Sequence, residues 1–222
     1  MDIYLEIGSK KVFAGAIDWP GWCRSGRDEA AAIKALFDYG PRYAGVLARS
    51  DLGFVVPDTM DRFNVVERLE GGSTTDFGAP EAMPAADQRP FTEADVGHQG
   101  RILQASWETF DTIAAAATGL ELRKGPRGGG RELEAITRHV LGAEGGYIRL
   151  LARKMPPVEG EDLGEALRVA RQAIMDALSA AARGEMPERG PRGGKLWPPR
   201  YFIRREAWHV LDHAWEIEDR VT

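Results

Sequence analysis

The chain has 222 residues, 43% hydrophobic and 28% charged, with a net charge of −5, the make-up of a globular protein folding as one large domain or two small ones. The negative balance argues against an electrostatic grip on nucleic acid. With Cys23 as its only cysteine, the chain has no intrachain disulfide and no four-thiolate zinc site.

Met1-Asp2-Ile3-Tyr4-Leu5-Glu6 lacks the basic start of a secretory signal. No run approaches the roughly 20 apolar residues of a membrane span. The expectation is a soluble cytoplasmic protein with no membrane or nucleic-acid partner.

Along the chain, Ile3, Leu5 and Ile7 alternate with polar residues, and residues 12–17 form a second short apolar run, so two strands are predicted. A turn-rich segment follows over residues 18–26. Residues 27–39 suit a helix that stops at Gly40-Pro41. Phe54-Val55-Val56 and residues 63–69 read as further strands. Residues 71–90, rich in Gly, Pro, Ala and Asp, read as a linker. Beyond it the strand signals give way to helical periods at residues 92–118, 131–154, 162–183 and 202–220. Thr92 stands at a cap with acidic residues in the first turn, which favours the helix dipole. The predicted class is α+β, with a small α+β domain at 1–85 and a four-helix bundle at 90–222.

Two loops share a basic, glycine-rich composition, Gly125-Pro126-Arg127-Gly128-Gly129-Gly130 and Gly190-Pro191-Arg192-Gly193-Gly194-Lys195. They are either two lips of one cleft or two flexible connections of similar make-up. Neither is a phosphate-binding P-loop, because Arg189 stands where a glycine is needed and Leu196 where Ser or Thr is needed.

The histidines are His98, His139, His209 and His213. His209 and His213 are four apart in a helical segment, so both imidazoles lie on one face and can address one ion. His139 is the natural third ligand, because it lies in a helix, whereas His98 sits near a helix start, next to Gly97 and Gly100. Three neutral imidazoles suit zinc, nickel or iron and leave a coordination position open, the catalytic pattern rather than the structural one. Asp212 or Glu216 is placed to orient an imidazole as an acceptor. Arg205 and Arg220 are candidates for binding a carboxylate. On the alternative reading these residues form the solvent face of an amphipathic helix. Cys23 has no histidine near it in sequence, and a buried structural thiol is the expectation.

The segments Ile136-Thr137-Arg138-His139-Val140-Leu141-Gly142-Ala143-Glu144 and Arg204-Arg205-Glu206-Ala207-Trp208-His209-Val210-Leu211-Asp212-His213 resemble the metal-site helices of the DinB/YfiT-like superfamily. The resemblance covers residues 92–222. It implies a four-helix bundle whose metal ligands are His139, His209 and His213. It also implies a metal-dependent transferase, isomerase or hydrolase acting on a small-molecule substrate, with mycothiol, bacillithiol or glutathione as thiol, and a homodimer. Ala-Trp-Glu follows His213 where the bacillithiol-type branch has Arg-Gly-Gln, so fold and metal site carry over better than substrate. Residues 2–40, with two strands, the turn Asp18-Trp19-Pro20-Gly21 and a helix start at Asp28-Glu29-Ala30, resemble a HicB-like domain. That resemblance implies the alternative function, a non-catalytic binding or regulatory protein with the bundle as scaffold.

Overall fold

The computed structural model describes residues 1–124, 130–157, 160, 162–190 and 193–222. The N-terminal part is a four-stranded sheet. Strand β1 (Asp2–Ile7) pairs antiparallel with β2 (Val12–Ala16), which pairs antiparallel with β3 (Cys23–Gly26). On its other side β1 pairs in parallel with β4 (Asn64–Glu70), giving the order β3-β2-β1-β4. Helices α1 (Glu29–Asp38) and α2 (Gly40–Leu47) supply the crossover that a parallel pair requires. The register sets Ile3, Leu5, Val12 and Ala14 on one face, packed with Ala32 and Leu36 of α1. The other face is buried as well, with Tyr4 and Glu6 at 1% and 0% exposure.

A short helix, α3 (Ser73–Phe77), and a single 3-10 turn at Ala85–Gln88 lead to four longer helices. These are α4 (Glu93–Ala116), α5 (Leu133–Tyr147), α6 (Leu163–Ala182) and α7 (Pro199–Arg220). α4 packs on α6 and α7, and α5 packs on the same two, which closes a ring of four around one core. Leu103, Phe110, Ile136, Ile174, Leu178 and Val210 meet there. Thr92 caps α4 as its sequence suggests. Its hydroxyl accepts from the Asp95 amide, and the Asp95 carboxylate accepts from the Thr92 amide at 2.9 Å. No described helix is long and apolar enough to cross a membrane.

The core does not stop at the linker. Ile102 and Ala105 of α4 and Leu211 and Trp215 of α7 share a hydrophobic cluster with Ile3, Leu5 and Trp22. α7 therefore has the bundle on one side and the sheet on another, and it is buried without a break from Tyr201 to Leu211. The turn after β2 explains how the sheet gets so close. Trp22 N–H donates to the Trp19 carbonyl, and Gly21 takes φ +91° at the position where such turns need positive φ. A Cβ at Gly21 would meet Leu211 Cδ1 at 2.9 Å, so an alanine there strains the turn and pushes on α7 together.

Four local expectations need correction. Phe54-Val55-Val56 is not a strand and pairs with none of the four strands. Phe54 instead pegs the segment to Trp19, Trp22 and Tyr43, at ring distances of 4.9, 5.2 and 5.1 Å, while Val55 is exposed. The turn-rich segment after β2 ends in β3, since Cys23–Gly26 can add to the free edge of β2. Gly40-Pro41 ends α1 but also starts α2, because proline is accepted in a first helical turn, where its missing N–H has no partner to lose. The linker is not all loop, since it holds α3. Of the two basic glycine-rich loops, residues 125–129, 191 and 192 lie outside the described residues.

Candidate metal centre

α5 and α7 bring His139, His209 and His213 together. One ligand nitrogen from each lies within 4.8 Å of the others. The Nε2 atoms of His139 and His209 are 3.2 Å apart. Two ligands held at about 2.0–2.1 Å in a tetrahedral site stand roughly 3.3–3.4 Å apart, so this spacing, which is also that of a hydrogen bond between the two rings, is compatible with two ligands to one ion. The fourth histidine is elsewhere, with its ring 5.7 Å from that of Trp19.

The surroundings of His209 and His139 favour the neutral ring that a cation needs. His209 is 8% exposed. Burial, followed by the fields of His213, His139, Arg205 and Arg131, pushes its pKa down to about 2, so the ring is neutral. His139 is also lowered, by burial and then by His213 and Arg131. The Nδ1 of His213 is 2.8 Å from Glu216 Oε2, which fixes the tautomer and turns Nε2 toward the cluster. Glu216 in turn accepts from Arg220 Nη1 at 2.7 Å. The hydrogen bond from His213, aided by Arg220, holds the Glu216 carboxyl below its usual range. His209 Nδ1 is buried with no partner among the described residues. His139 and His213 are half-buried, so the cluster reaches solvent on their side. The donor set, three imidazoles with one carboxylate behind them, fits a divalent ion of borderline softness.

The other candidates divide. Glu216 and Arg220 stand beside His213 as described. Asp212 turns away and pairs with Arg24 of β3 at 3.1 Å, so it ties the sheet to α7 instead of orienting an imidazole. Arg205 lies against Tyr147 and Trp208, next to His209. Cys23 is 3% exposed near Tyr4, and burial pushes its pKa up to about 12. The folded chain is therefore expected to resist iodoacetamide at pH 8 and to react fully in denaturant. Rapid labelling of the native chain, read by mass spectrometry, would contradict this placement.

Sequence reasoning missed a polar layer inside the bundle. Glu144 of α5 and Glu206 of α7 are both fully buried. Glu144 accepts from Arg171 Nε at 3.1 Å, and Glu206 accepts from Trp107 Nε1 at 3.4 Å. The Arg171 guanidinium stacks 5.5 Å from the Trp107 ring and also pairs with Asp111 of α4 at 2.8 Å. One further oxygen on each glutamate and Arg171 Nη2 are buried without partners among the described residues. A signal was present: Glu206 shares the α7 stripe of Ile203, Val210 and Ile217, and Arg171 that of Leu167, Ile174 and Leu178. A charge in an apolar stripe marks a buried polar contact.

Compared with known proteins, the chain matches no family model, no curated protein and no solved structure.

Proposed function

We propose that the chain binds one divalent metal ion, zinc, nickel or iron, through His139, His209 and His213. On this reading it is a DinB-like metal-dependent transferase, isomerase or hydrolase with a low-molecular-weight thiol as co-reactant. The observation that carries the reading is the convergence of three imidazoles from two helices on one partly open spot. A bound ion of this kind lowers the pKa of a water or thiol that it holds, which supplies a nucleophile at neutral pH. The chain's own residues prepare that position. His209 anchors the cluster from below, and Glu216 holds His213 in one tautomer. Tyr147, whose ring is 5.9 Å from that of His209, and Trp197, 5.1 Å from Tyr147, form a wall that limits water.

The test is metal content by mass spectrometry on protein purified without an affinity tag, beside the His209→Ala/His213→Ala variant. The expected result is one ion per wild-type chain and none in the variant, with unchanged helical circular dichroism. Wild-type protein that takes up no ion, even after incubation with each, overturns the proposal and leaves the binding-protein reading ahead.

A further inference from the structure

Four arginines are at least nine-tenths buried, namely Arg171, Arg204, Arg205 and Arg220. A guanidinium keeps its charge in any protein, so burying one without an anion costs several kcal/mol, on the order of a charge left unpaired. Three of the four have their anion. Arg171 has Glu144 and Asp111, Arg204 has Asp87, and Arg220 has Glu216. Arg205 has no carboxylate within ion-pair distance among the described residues. Its Nη1 donates to the Pro80 carbonyl, its Nη2 is 3.5 Å from the Tyr147 hydroxyl, and its plane lies 5.0 Å over the Trp208 ring.

These same neighbours border the imidazole cluster. Tyr147 and Trp208 both stand beside His209, and Tyr147 continues outward to half-exposed Trp197. Among the described residues, the one buried arginine that lacks an anion thus shares its aromatic neighbours Tyr147 and Trp208 with the centre. Arg131 adds positive field at His139 and His209.

We infer that Arg205 is the receptor for a carboxylate carried by the ligand of this centre, so that the substrate or co-reactant is a small organic acid whose other end reaches the metal. The inference rests on the metal-centre reading. A carboxylate fits better than a phosphate ester. A single planar guanidinium with one hydroxyl beside it matches two coplanar oxygens and one negative charge. The aromatic wall suits an apolar body between the two ends of the ligand. Arg205 is here a specificity residue that touches the ligand, and no step of the chemistry is assigned to it.

The test compares two probes that share a metal-seeking thiol and differ only at the far end, 3-mercaptopropionate and 3-mercaptopropionamide. Binding to the cobalt(II)-loaded chain is followed by the thiolate-to-cobalt absorption. The wild type is expected to bind the acid at least about ten-fold more tightly than the amide, the scale of one charge-assisted hydrogen bond. Arg205→Met is expected to lose that preference while keeping its cobalt affinity. Arg205→Lys, which retains a donor for Pro80, guards against a folding defect and is expected to keep only part of the preference. Equal affinities in the wild type, or a preference that survives Arg205→Met, overturn the inference. Failure of the wild type to give any histidine-dependent cobalt spectrum overturns the metal-centre reading itself, and the inference with it.

Discussion

Asp87→Ala is expected to destabilise the chain by about 3–5 kcal/mol, the cost of leaving a buried cation without its partner. Asp87, at 2% exposure, accepts from Arg204 Nε at 2.7 Å and from Nη2 at 2.8 Å. The same guanidinium donates to the carbonyls of Ala16 and Ile17 at 2.6 and 2.8 Å, and it lies over the Tyr4 ring. One side chain on α7 therefore holds the end of β2, the inner face of the sheet and the linker. Urea unfolding of Asp87→Ala, Arg204→Met and the double variant measures the coupling. The double variant should lose less than the sum of the singles by about 2 kcal/mol, because removing both charges leaves none stranded. Strict additivity would mean that the pair does not link the two parts.

The second large effect is in pH dependence. Burial, and then the charge of Glu144 nearby, raises the Glu206 carboxyl well above the carboxylate range, and burial does the same for Glu144. A carboxyl whose folded pKa is raised favours folding while protonated in both states. That contribution fades as pH climbs from the unfolded value of about 4.3 toward the folded one. Wherever only the folded chain holds the proton, stability falls by about 1.4 kcal/mol per pH unit. His209 acts oppositely, since below about 6.5 the unfolded chain takes up a proton that the buried ring refuses. The difference between wild type and Glu206→Gln cancels that histidine contribution. Gln keeps an acceptor for Trp107 and cannot ionise. Metal-free Glu206→Gln is therefore expected to gain on the wild type steadily as pH rises from 5 to 8. Parallel stability curves over that range would show that the folded chain does not hold the Glu206 carboxyl protonated.

Periodicity and turn chemistry made much of this protein legible in advance. Alternation marked β1, the Thr92 cap marked the start of α4, and the four long helices fell near their predicted places. The pairing of His209 with His213 was also local, since a spacing of four on a helix brings two imidazoles to one face whatever surrounds them. These features depend on neighbours in sequence, and a sequence displays them directly.

The remainder depended on which surfaces meet. The sequence could name His139 as third partner, but its reaching the pair is decided by the packing of α5 on α7, while the His98 ring lies apart in a tilted contact with Trp19. The histidine-bearing face of α7 could have been a solvated one, and it is covered in part because α5 packs on α7, which buries His209 while Asp212, His213 and Glu216 stay half-buried. β3 exists because β2 had a free edge, while Phe54-Val55-Val56 pairs with none of the four strands. Glu144, Arg171 and Glu206 each looked like an ordinary charge until the bundle closed and removed their solvent. Burial and strand pairing are properties of the assembled chain, because the cost of a charge and the need of a backbone N–H are set by what replaces water around them.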